Sequence, residues 1–139
     1  MKKVILILIF AFIGAVSYAQ FGMPAYDNVV VGDTVSNSHK VTHYITASAG
    51  YRNASFQVNI ARLTGNVYGY VKIFGTVDGT HYPATALDSV RITVETGTSA
   101  PIFTITNSLY YRYKITVAND SSGTGQVKIY YLLHKTITQ

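Results

Sequence analysis

The chain has 139 residues, with eleven Lys and Arg against six Asp and Glu, twelve Tyr, and neither Cys nor Trp. The absence of Cys excludes a disulfide scaffold, a thiolate metal site and a cysteine nucleophile, and the scattered cations behind a net charge of +5 mark no nucleic-acid surface. Only 12% of the residues are charged, while Tyr, Thr, Val and Ile abound, which is the composition of an extracellular β-protein rather than a helical one.

The first segment, "MKKVILILIFAFIGAVSYAQ", places Lys2 and Lys3 before an apolar run from Val4 to Val16 and ends in Ser17-Tyr18-Ala19. These are the three parts of a secretory signal peptide over residues 1–19. The apolar run is short of the ~20 residues that span a bilayer, so no stable membrane insertion is expected. A cut that leaves Gln20 first also resembles export signals of Bacteroidota. Export to the periplasm, the cell surface or the medium follows, and the remaining chain is net +3 once Lys2 and Lys3 are gone. Residues 20–40 read as an extended arm or first edge strand, with a short strand over 28–31, and residues 41–139 as one β-sandwich domain.

Within that domain the apolar period is two, the strand period. Residues 41–46 form a short strand. In "ASFQVNIA", Phe56, Val58 and Ile60 alternate with Ser55, Gln57 and Asn59. In "NVYGYVKIFGTV", Val67, Val71, Ile73 and Val77 share one face, and Tyr68, Tyr70, Lys72 and Phe74 the other. "SVRITVE" alternates Val90, Ile92 and Val94 with polar residues, and 102–106 make another short strand. "LYYRYKITVA" sets Tyr111, Tyr113, Ile115 and Val117 inward, with Tyr110, Arg112 and Lys114 opposite. "QVKIYYLLHK" sets Val127, Ile129, Tyr131 and Leu133 inward, with Lys128, Tyr130, Leu132 and His134 opposite. Turn residues separate these runs, at Ala49-Gly50, Gly65-Asn66, Asp78-Gly79, 95–101, Asn107-Ser108 and 119–125. About eight strands without a helix predict an all-β fold, a single antiparallel β-sandwich of jelly-roll-like form.

Catalytic constellations are missing. The six carboxylates are isolated from one another and mostly sit beside Gly, Ser or Asn, where Asp forms turns. His39 and His43 have the spacing of helical metal ligands, but on a strand four residues span roughly 13 Å, too far to share one ion. No nucleophile elbow or phosphate-cradling glycine motif occurs. Asp78-Gly79 is a hairpin signal, with the return strand expected from Tyr82 and no sequence-local partner for His81. "NVYGYVKI" at 66–73 looks like the RNA-binding octamer of the RRM, but lacks its leading basic residue and final aromatic, and the strand-helix alternation of that fold is absent. The expectation is a non-enzyme with no catalytic residues, no cofactor, no metal and no nucleic-acid partner.

The stretch 65–133 resembles small β-sandwich proteins and modules encoded among the structural genes of tailed phages and prophages. The resemblance lies in a G-x-V-x-x-x-G-(S/T)-x-D-G-x-x-(Y/W) pattern from Gly69 to Tyr82, in Tyr111-Arg112-Tyr113, and in a Gly-rich turn and closing strand from Gly123 to Tyr131. It covers about half the chain and implies architecture, with no catalytic residues to carry over. A virion- or surface-associated assembly role is what it suggests.

The aromatic and cationic second faces of three strands are the candidate interaction face, namely Tyr68, Tyr70, Phe74, Tyr110, Arg112, Tyr130 and Leu132. An apolar patch of that size, rich in Tyr with Arg, suits a protein partner, either a second copy in a homo-oligomer or another virion or surface protein. The same tyrosines could instead stack on sugar rings in a carbohydrate-binding or adhesive module. Loops covering both sheet faces within the domain would leave no site at all.

Overall fold

The computed structural model describes residues 25–27, 33–37, 39–47, 51–106 and 109–135. The leader lies outside the described residues, as do 28–32, which include the whole of the short strand expected over 28–31. The described residues form ten strands and no helix: β1 (Ala25–Asp27), β2 (Asp33–Val35), β3 (Val41–Thr46), β4 (Tyr51–Thr64), β5 (Val67–Thr76), β6 (Asp88–Val94), β7 (Thr98–Ser99), β8 (Ile102–Ile105), β9 (Arg112–Asn119) and β10 (Thr124–Lys135).

Two antiparallel sheets result. In sheet one, β10 and β4 are the central pair; β1 and β2 share the outer edge of β10, and β7 and β8 share the outer edge of β4. Sheet two runs β3-β9-β5-β6. Taking each shared edge as one position gives eight positions in chain order, with 1-8-3-6 in one sheet and 2-7-4-5 in the other. That is the strand order of a jelly roll, and the chain crosses between sheets at nearly every connection.

Strand alternation decides which residues meet between the sheets. Phe56, Val58 and Ile60 of β4 and Val127 and Ile129 of β10 face Val71 and Ile73 of β5 and Ile115 and Val117 of β9, all buried. Each such side chain contributes about 1.5–3 kcal/mol of burial, and no covalent link supplements it. Phe56 and Tyr113 join the two sheets edge to face, with ring centroids 4.9 Å apart at 60°.

Parity fails in two places. Val77 is 71% exposed because β5 ends at Thr76 and the chain turns at once. β9 begins only at Arg112, so Tyr110 and Tyr111 precede the strand and exchange roles. Tyr111 is turned outward, 52% exposed, while Tyr110 packs on the core. The space it enters exists because Gly75 has no side chain: a Cβ there would stand 2.5 Å from the Tyr110 ring.

The β9–β10 corner is organised by one buried amide. Asn119 Nδ2 donates to the carbonyls of Gly123 (2.6 Å) and Ser121 (3.1 Å), and its Oδ1 accepts from the Ser121 amide (3.1 Å) and the Tyr68 amide (3.3 Å). This side chain ties the corner to the first residues of β5 and satisfies backbone groups that the crossing would otherwise strand.

Candidate functional site

The expected single interaction face divides in three. Tyr68, Tyr70, Phe74 and Arg112 lie on the outer face of sheet two. Tyr130 and Leu132 lie on the outer face of sheet one, opposite Gln57 and Ser55. Tyr110 belongs to the core side, 5.9 Å from Tyr113. The chain could not reveal this division, because two strands with the same alternation can belong to different sheets.

The outer face of sheet two is laid out in cross-strand rows. Tyr44 of β3, Lys114 of β9 and Phe74 of β5 form one row; Thr46, Arg112 and Thr76 flank it on one side. On the other side come Thr42, Thr116, Lys72 and Ser89, then Ala118, Tyr70 and Arg91, then Tyr68 and Thr93.

A residue from outside the sheet completes the first row. After Asp78-Gly79 the chain does not return at Tyr82. It runs as a loop until β6 begins at Asp88, and it lays Tyr82 over β9. The loop's first turn explains the composition at its start. Asp78 Oδ1 accepts from the Thr76 hydroxyl (2.5 Å) and from the amides of Thr80 and His81 (both 2.9 Å), while Oδ2 meets His81 Nδ1 at 2.5 Å. The Thr76 hydroxyl foremost, then the two amides and the imidazole, hold the Asp78 carboxyl well below the usual range. Gly79 follows with φ +79°, a conformation that favours glycine. Asp78 and His81 are thus partners in a turn, and the Leu87 amide closes the loop on the Ile73 carbonyl at 2.7 Å.

The resulting cluster alternates rings and cations. Lys114 Nζ lies 4.4 Å from the Phe74 ring centroid and 4.5 Å from that of Tyr82. The Arg112 guanidinium is 4.7 Å from the Tyr44 ring, and the rings of Tyr44 and Tyr82 are 5.9 Å apart, tilted by 47°. Farther along, Lys72 lies 5.6 Å from the Tyr70 ring. Cations over ring faces are mutually attractive and hold long side chains in place. Phe74 is covered, whereas Tyr44 and Tyr70 remain 51% and 40% exposed. Burial raises the Tyr82 phenol above its ordinary pKa, against the opposing pull of Arg112. Tyr82 Oη and Arg112 Nε are both buried with no hydrogen-bond partner among the described residues. Tyr44 and Tyr82 were missed in the sequence. Tyr44 sits on a short strand of ordinary composition, and Tyr82 reaches the face only through the loop's fold.

Tyr68 is otherwise engaged. Its hydroxyl donates to Glu95 (2.9 Å) and accepts from Asn66 Nδ2 (3.0 Å), and the Glu95 bond raises its pKa.

Two concave regions lie elsewhere. One of about 460 Å³ is lined by Val77, Leu87, Thr104, Ile105, Leu109 and Tyr110. The other, about 300 Å³, lies on sheet one among Ser55, Gln57, Ile102, Tyr130 and Leu132. Neither lining brings a carboxylate or an imidazole to bear. His39 closes a turn by donating its amide to Ser36, and His43 stands on β3 with Nε2 4.0 Å from Asp33 Oδ2. Among the described residues no three His, Asp or Glu converge as metal ligands.

No protein-family model matches the sequence, and no curated protein does. Solved structures do match in fold. A CBM4 module aligns with a TM-score of 0.53 at 11% identity, over 82% of this chain and 81% of its own. The carbohydrate-binding module CBM28, specific for non-crystalline cellulose, gives 0.49 at 10% identity over 80% and 74%. The enzymatically active domain of tailspike protein 4 from bacteriophage CBA120 gives 0.43 at 16% identity, over 68% of this chain and 14% of its own. At 11% identity the likeness to the CBM4 module is one of fold alone.

Proposed function

We propose that this protein is an exported, non-catalytic carbohydrate-binding or adhesive module that receives its ligand on the outer face of sheet two. The observation that carries the reading is the cluster of Tyr44, Tyr82, Arg112 and Lys114, continued by Tyr70 and Lys72 along the same face. Exposed Tyr rings offer flat apolar faces for sugar rings, and donors beside them can bind hydroxyl or acidic oxygens. The jelly-roll frame shared with a CBM4 module supports it. The leader over residues 1–19 would deliver the module to where polysaccharide is met; secreted protein should begin at or within about two residues of Gln20, and recovery of intact Met1 in the cytosol would rule export out.

A glycan array probed with the purified protein tests the function. Retention on polysaccharide that is lost in Tyr44→Ser/Tyr70→Ser, with the thermal midpoint preserved, is expected. Retention unchanged by that pair would move the site off this face.

A second reading, assembly through protein contacts, draws on sheet one. There Ile102 is 67% exposed beside Tyr130 and Leu132. If that face seats a second copy of the chain, the protein self-associates at micromolar concentration on a sizing column with light scattering, and Tyr130→Ser/Ile102→Ser gives a folded monomer.

A further inference from the structure

The charge of the sheet-two face is one-sided. Strand alternation turns Lys72, Arg91, Arg112 and Lys114 outward there, and the remaining outward positions of the rows are Tyr, Phe, Thr, Ser and Ala. No carboxylate or side-chain amide is among them. The nearby acidic groups lie at the ends of the face: Glu95, which accepts from Tyr68, and Asp120, whose amide bonds the Tyr68 carbonyl, at one end, and Asp78, taken up by Thr76, Thr80 and His81, at the other. Among the described residues the ion pairs are Asp33 with His43 and Asp78 with His81, so none of the four cations has a carboxylate within 4.0 Å.

A neutral sugar presents hydroxyls that must donate as well as accept. Arg and Lys side chains only donate, and the acceptors that the rows add are the hydroxyls of Thr, Ser and Tyr, so charged donors predominate on the face. An anionic sugar oxygen, by contrast, only accepts. It also relieves the mutual repulsion of four like charges on one face. The Arg112 guanidinium lies 4.7 Å from the Tyr44 ring with its Nε buried, and its two Nη groups form the edge that matches a carboxylate or sulfate in two parallel bonds. Phe74 and Tyr70 are four residues apart on β5, roughly 13 Å. The rings and cations therefore form a strip suited to an extended chain rather than a pocket for one sugar.

We infer that the ligand of this face is an acidic polysaccharide, whose uronate carboxylates or sulfate esters meet Arg112, Lys114, Lys72 and Arg91 while its rings lie on Tyr44 and Tyr70. The inference rests on the carbohydrate-binding reading and adds the charge of the ligand to it.

Affinity electrophoresis of the purified protein through gels containing polygalacturonate, dextran sulfate, dextran or hydroxyethylcellulose tests it, with an oligothymidylate titration alongside. Expected is binding to polygalacturonate, dextran sulfate or both, at least about tenfold tighter than to either neutral polymer and weakening between about 0.05 and 0.5 M salt. Retardation by only one of the acidic gels assigns the carboxylate or the sulfate. Lys72→Gln/Arg91→Gln, both at exposed positions, should weaken acidic binding about fivefold with the melting temperature unchanged. Arg112→Gln should weaken it further. Equal or tighter binding of the neutral polymers, or no loss in Lys72→Gln/Arg91→Gln, overturns the acidic assignment and leaves the carbohydrate reading standing. Oligothymidylate bound as tightly as the acidic polymers, or no polysaccharide bound at all, overturns both.

Discussion

The two outer faces of this sandwich are built by the same rule and end with different chemistry. On sheet one the outward positions of β4 and β10 pair Ser55 with Leu132, Gln57 with Tyr130 and Asn59 with Lys128, and the Gln57 amide donates to Asn59 at 2.9 Å. Acceptors and donors there are mixed and partly satisfy one another. On sheet two the outward rows hold four cations and four aromatics with no amide or carboxylate, and an eleven-residue loop over 77–87 adds Tyr82 from above. The lesson is that alternation sets only which way a side chain points. Whether the outward set becomes an ordinary wet surface or a recognition surface depends on which strands lie side by side and what folds over them.

The largest effect tests the inward-outward division itself. Ile92 is buried opposite Gly69, and Thr93, its neighbour, faces out opposite Tyr68. Ile92→Asp places an unpaired charge in the core and is expected to cost about 4 kcal/mol or more, enough to unfold a domain of this size. Thr93→Asp should remain folded by circular dichroism. Equal tolerance of both would break the comparison at its root.

Next comes the corner that fixes the Tyr68 end of the sheet-two face. Asn119→Ala strands the Gly123 and Ser121 carbonyls in a buried corner, and chemical denaturation should show a loss of about 1–3 kcal/mol. A loss under half a kilocalorie would mean that the corner holds its shape by backbone packing alone.

The contrast between the faces is sharpened by mutating each in turn. Tyr44→Ser/Tyr70→Ser should reduce polysaccharide affinity about tenfold, or about 1.4 kcal/mol, whereas Tyr130→Ser on sheet one should leave it unchanged. The reverse pattern would transfer the site to sheet one.

The smallest effect concerns the turn that aims the loop. The Asp78 carboxyl titrates below its ordinary range when folded, so its stabilising contribution is present above the unfolded carboxylate value, about pH 4, and fades as the pH falls further. The melting temperature of Asp78→Asn should lie below that of the wild type at neutral pH, and the gap should narrow on acidification below about pH 4. A gap that widened in acid would show that the carboxylate does not hold the turn through its charge.

The sequence by itself determined the fold class. Strict alternation in 54–60, 67–73, 90–94, 113–117 and 127–133 requires one face of each strand to be dry, and a chain without helical periodicity or cysteine can satisfy that only by stacking sheets. It also supplied Asp78-Gly79 as a turn, because the carboxylate acceptor and the positive φ are local properties. Tertiary structure alone decided which strands share a sheet, since period two is identical for neighbours and strangers; this is why Tyr130 and Leu132 part from Tyr70 and Phe74. It decided that Tyr110 turns inward, because the hole above Gly75 is made by a strand that lies far away in the chain. It also brought Tyr82 over Tyr44 and Lys114, since a loop's landing place depends on the surface beneath it. Of the residues that bear the proposed site, Tyr70 and Arg112 were visible in the chain, whereas Tyr44, Tyr82 and the meeting of all four were not.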